Sequence, residues 1–138
     1  MTDTVKRADY CHASVQDQAG EGVRLLEALR TERVNLVAFH AFPAGDGRTQ
    51  LDLFPADPAR LTAAARLAGI ELSPVKTAFR VEGEDRTGAM AEILGKLGRA
   101  GINVTAAEGI CAGAGRFGAL VWVKPQDVER AAQALSAQ

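Results

Sequence analysis

Cysteine is scarce. The chain has two, Cys11 and Cys111, with no CxxC spacing, which excludes a disulfide scaffold and leaves reduced thiols as the expectation. Aromatic residues make up 5%, with one tryptophan and one tyrosine, so an RNP-like aromatic run for stacking RNA bases is missing. Neither sign of charge prevails. Sixteen basic residues face seventeen acidic ones for a net charge of -1, which gives nucleic acid or anionic lipid no long-range hold. No apolar run approaches the roughly 20 residues that cross a bilayer. Met1-Thr-Asp-Thr-Val-Lys-Arg has no apolar stretch after its charges, so a soluble, cytoplasmic protein without a membrane partner is expected. What is present is 138 residues that are 47% hydrophobic, enough for a real core.

The chain also carries a repeat. Asp17, Gly20, Leu26, Leu29, Asn35, Ala38, Ala44, Gly45, Gly47 and Arg48 recur without a gap as Asp85, Gly88, Leu94, Leu97, Asn103, Ala106, Ala112, Gly113, Gly115 and Arg116, a period of 68 residues. Val34 faces Ile102 and Phe54 faces Trp122 in the same alignment. A period this long indicates a duplicated module more than a solenoid unit.

In each copy an alternating stretch, Tyr10 to Gln16 or Phe79 to Glu84, leads into an Asp-x-x-Gly turn and a segment with helical spacing. Leu25, Leu26, Leu29 and Arg33 keep that spacing in the first helix; Met90, Ile93, Leu94 and Leu97 keep it in the second. Gly101 is a natural helix stop. Strands are expected at Val34 to Phe42 and Ile102 to Ile110, with glycine-rich hairpin turns into Leu51 to Phe54 and Ala119 to Val123. Second helices start near Asp57-Pro58 and Asp127. Ile70 to Val75 can close the first sheet. The second copy ends without an equivalent, so it keeps three strands or borrows an edge. The expected fold class is α+β, with two tandem ferredoxin-like modules, antiparallel sheets and helices on one face. Residues 1–7 are expected to be a tail, 8–75 the first module and 76–138 the second.

The stretch Asp85-Arg-Thr-Gly-Ala-Met-Ala-Glu-Ile-Leu-Gly-Lys-Leu-Gly-Arg-Ala-Gly-Ile-Asn-Val resembles the hallmark of ACT domains: an Asp-x-Pro-Gly turn, a leucine-rich helix and a Gly-Ile-Asn-hydrophobic strand start. The resemblance covers nearly the whole chain from about residue 8. The family's turn proline is Ala19 in the first copy and Thr87 in the second, and Arg33-Val-Asn-Leu stands where the second copy has Gly-Ile-Asn-Val. The resemblance implies βαββαβ units, the second lacking its last strand. It also implies a regulatory module that binds a small effector, often an amino acid, at the junction between paired units.

The residues fit such a ligand. A helix N-terminus offers unsatisfied N–H groups to a carboxylate, and Gly20 and Gly88 allow close approach. Asp17 and Asp85 can accept from an ammonium group, and Asn35 and Asn103 can donate and accept. The candidate site residues are therefore Asp85, Arg86, Thr87, Gly88 and Asn103, with Asp17, Gln18, Ala19, Gly20 and Asn35 in the first copy. Turn and cap chemistry alone accounts for the same residue types.

Other signals weigh less. Gly113-Ala-Gly-Arg-Phe-Gly spells GxGxxG but lies between two strands, where a dinucleotide fingerprint must open a helix. His12 and His40 align with Arg80 and Glu108, which leaves no repeated metal-ligand set. Arg86 and Asn103 suit an acylphosphatase-like comparison, but Glu84 and Asp85 oppose a phosphate there. No acid, base and nucleophile set assembles, so no enzyme activity and no cofactor are expected. Cys11 aligns with Phe79 and reads as a core position. Tyr10, His12, Phe54 and Trp122 alternate onto the sheet face away from the helices and need a cover, read as a subunit interface, with the lining of a ligand pocket as the alternative. The expected protein is a stand-alone regulatory homodimer that binds an amino acid and is read by an enzyme or a transcription factor. A scaffold that binds nothing small is the alternative.

Overall fold

In the computed structural model, which describes residues 3–138, strands and helices follow the β-α-β-β-α order expected of each copy. They are β1 (Thr4–Gln16), α1 (Glu21–Thr31), β2 (Leu36–Gly45), β3 (Arg48–Pro55), α2 (Pro58–Ala68), β4 (Lys76–Glu84), α3 (Ala89–Arg99), β5 (Val104–Gly113), β6 (Arg116–Val123) and α4 (Val128–Leu135). The chain divides into two compact units. One is Asp9–Lys76; the other joins the residues up to Ala8 with Thr77–Gln138. The first has the antiparallel order β2-β3-β1, the second β1-β4-β6-β5, and β1 serves both. This is the α+β, ferredoxin-like arrangement of antiparallel strands and paired helices.

Apolar alternation explains each core. Leu25 and Leu29 of α1, with Leu61 and Ala64 of α2, cover Cys11, Ala13, Leu51 and Leu53. In the other unit Ile93 and Leu97 of α3, with Ala131, Ala132 and Leu135 of α4, cover Phe79, Val81, Ala119 and Val121. Cys11 is a core residue, and burial pushes its thiol pKa up, so it is a poor nucleophile. The two ends of the chain depart from expectation. The supposed tail is not one: from Thr4 the chain is strand, and Val5 is buried in the core of the second unit. Val5 accepts from the Gln138 N–H, and Gln138 accepts from the Arg7 N–H. The sheet that was expected to lack its last strand thus takes one from the N-terminal end.

The first unit shows the reverse. Ile70 to Val75 does not form the expected closing strand. Ser73 alone clasps β1, its N–H donating to the His12 carbonyl and its hydroxyl accepting from the His12 N–H. Pro74 follows and has no N–H to continue the ladder. At the second helices, Asp57 caps α2 by accepting from the Ala59 N–H. Asp127 does not cap α4 in that way. It ends a 3₁₀ turn, Pro125–Asp127, and its carboxylate pairs with Arg130 at 3.2 Å.

Tyr10, Phe54 and Trp122 are buried, at 9%, 0% and 6% exposure, yet belong to neither helix-facing core. Tyr10 stacks on Phe54 with ring centroids 4.7 Å apart.

Candidate functional site

The Asp-x-x-Gly turn is built the same way in both copies. The Asp17 N–H donates to the Gly47 carbonyl and the Asp85 N–H to the Gly115 carbonyl, 68 residues on. Gly20 and Gly88 then take φ of 89° and 82° at the helix start, a left-handed backbone that favours glycine. Their carbonyls accept the first helical bonds, from the Arg24 and Glu92 N–H groups. Gln18 and Arg86 carbonyls accept from Glu21 and Ala89. The N–H groups of Met90 and Ala91 have no acceptor among the described residues, as the first turn of a helix requires. They are a ready partner for a carboxylate.

Met90 and Ala91 line a cavity of about 340 Å³ in the second unit, together with Asp85, Arg86, Gly88, Ala89, Gly109, Ile110, Cys111 and Phe117. Thr87 does not line it. Asp85 has Cys111 as a hydrogen-bond partner, and that carboxylate pushes the Cys111 thiol pKa up, which disfavours the thiolate. Arg86 is on the cavity wall, but its guanidinium is already engaged. Its guanidinium donates twice to Asp3 at 3.0 Å, to Glu92 at 3.3 and 2.8 Å, and to the Glu84 carbonyl at 3.1 Å. The Asp3 carboxyl is held below its usual range chiefly by that hydrogen bond, and Glu92 is lowered by the same partner. Arg86 is therefore a positioning residue that ties the start of β1 to α3. Gly83 makes room for it, since a Cβ there would lie 2.0 Å from Asp3 Oδ1. In the first copy the matching residue is Val15.

Asn103 is not brought to the turn. It follows the C-terminal end of α3 while Asp85 to Gly88 precede its N-terminal end, and eleven helical residues span about 16 Å. Asn35 is likewise remote from Asp17, lining a separate cavity of about 300 Å³ with Arg30 and Arg33, while its carbonyl accepts from the Ala56 N–H. Asp17 accepts from the Thr49 hydroxyl at 3.1 Å; it, Gln18, Ala19 and Gly20 line neither the cavity at Asn35 nor the one beside β1. Sequence reasoning also missed a cavity of about 830 Å³ beside β1 in the unit 9–76. Pro74 inside an expected strand was the available signal.

The family model of the ACT domain matches residues 77–138. This segment is similar to ACT domains. Solved structures align over nearly the whole chain. Protein BT0572 from Bacteroides thetaiotaomicron has 17% identity and a TM-score of 0.80, covering 96% of this chain and 88% of its own. The ligand-free regulatory subunit of aspartate kinase from Thermus thermophilus has 15% identity and a TM-score of 0.66, covering 99% and 95%. The corresponding subunit from Thermus flavus has 14% identity and a TM-score of 0.58, covering 99% and 95%. At these identities the likeness is one of fold. No curated protein matches the chain. Outside the ACT segment, residues 9–76 repeat its turn bonds and strand pairings; Cys11 pairs with Leu53 as Phe79 pairs with Val121.

Proposed function

We propose that the chain is a regulatory protein of two tandem ACT modules that binds a small zwitterionic effector, an amino acid, against the Asp85–Gly88 turn. The observation that carries the reading is the pairing of opposite polarities on one small cavity. The unsatisfied Met90 and Ala91 N–H groups suit a carboxylate, and the Asp85 carboxylate suits an ammonium group. The cavity's volume falls within the range of small-molecule sites, roughly 300–1,000 Å³. Asp85 and Gly88 make the contacts, and Arg86 holds the turn; Thr87 and Asn103 are left out of the shared contact set. Aspartate kinase regulatory subunits of the same fold support a regulatory role, with catalysis residing in a partner. An ACT unit of a second copy closes the open side of the cavity, which makes the working form a homodimer.

A thermal-shift screen of the full chain against the twenty amino acids tests this. Ligand at about 100 times Kd adds roughly 2.7 kcal/mol to native stability, a clear rise in Tm. Asp85→Ala should abolish the rise. A flat response to all twenty would favour the scaffold alternative.

A further inference from the structure

The unit 9–76 carries a second cavity, remote in sequence from the ACT turn, and its chemistry differs. It opens where the closing strand fails: the Ser73 clasp holds β1 at His12, and beyond it about 830 Å³ lies between β1, α1 and residues 68–76. Strand alternation fixes what the open edge offers. With the His12 N–H and carbonyl both bonded to Ser73, the same groups of Ser14, two residues on, turn to the same edge. The Ser14 carbonyl and hydroxyl accept from Arg48 at 3.0 Å each, which orients the guanidinium on the cavity wall and leaves it further donors.

Charge on that wall is unbalanced. Arg24, Arg48 and Lys76 face Glu21 and Glu71. Arg24 is matched by Glu21 at 3.2 Å, whereas Arg48 and Lys76 form no ion pair among the described residues. The floor is apolar, with Val15, Leu25, Ala28, Ile70 and Leu72. We infer that this cavity binds a small carboxylate-bearing metabolite with an apolar body. The carboxylate meets Arg48, Lys76 and the Ser14 N–H, and the body lies on Leu25, Ala28 and Ile70. Oriented donors around one anionic group and an apolar floor for the remainder are what such recognition needs.

The test uses the full ¹⁵N-labelled chain titrated with 4-methylpentanoate, and with 4-methylpentanamide as its uncharged twin. The expected result is saturable shifts of the Ser14 and Ile70 to Ser73 amides with the carboxylate and none with the amide. Lys76→Gln and Arg48→Gln should each weaken binding about tenfold or more, as loss of a charge-assisted hydrogen bond does. If Arg48→Gln does not fold, Lys76→Gln decides alone. Absent shifts, equal shifts with the amide, shifts confined to Gly88 to Ala91, or unchanged affinity in the folded variants would each overturn the site.

Discussion

Arg33 has φ of 59°, a left-handed conformation, where its repeat partner Gly101 has φ of 73°. Both follow the first helix of their copy, and both precede the N–H that bonds back into it, Val34 to Leu29 and Ile102 to Leu97. Only one of them suits the conformation without steric cost, which for a residue with a Cβ is about 1–2 kcal/mol. Arg33→Gly is therefore expected to stabilise the protein by about 1 kcal/mol after the added freedom of the unfolded chain is counted. Urea unfolding midpoints measure it, and a lower midpoint would contradict the strain. His12 gives a pH dependence. Its imidazole pKa is lowered chiefly by burial, then by Lys76, against an opposing effect of Asp52, and Nδ1 is buried without a partner among the described residues. The unfolded chain takes up a proton that the folded chain resists, so this contribution to stability is full above about pH 6.5 and is lost as pH falls below it. Denaturation at pH 7 and pH 5.5 should show a larger loss for the native sequence than for His12→Gln; equal losses would place the pH response elsewhere.

At the scale of elements, the repeat made most of the fold legible. Leucine spacing in α1 and α3, glycine-rich hairpins and Asp57-Pro58 each follow from local rules that need no knowledge of distant residues. The failures share a cause: they concern sheet edges, which are decided by which strand arrives, not by local pattern. Residues 4–8 are too short and charged to read as a core strand, yet Val5 is buried in the ACT core and Asp3 is clasped by Arg86. Ile70 to Val75 reads as a strand until Pro74 denies it a ladder. If the N-terminal strand is integral, Val5→Ala should cost about 2 kcal/mol, the loss of two buried methyl groups with a partly relaxed cavity. Chemical denaturation checks it. A cost under about 0.5 kcal/mol, typical of surface substitutions, would return the segment to the status of a tail. The site was legible only in part. Asp85 and Gly88 sit where the turn pattern puts them, but spacing in sequence hid that α3 separates Asn103 from them and that Asp3 and Glu92 engage Arg86.

At the scale of the whole molecule, residues 77–138 match the ACT domain on a fold shared with aspartate kinase regulatory subunits, and the proposed role is small-molecule sensing. Regulation by such a ligand works only through differential affinity for two states, so binding itself comes first. The direct measurement is an amide-resolved titration of the full ¹⁵N-labelled chain with each of the twenty amino acids. Saturable shifts are expected at Gly88 to Ala91 with at least one of them, and none in Asp85→Ala. Saturable binding that leaves those amides unmoved, or no binding of any amino acid, would contradict the proposed role.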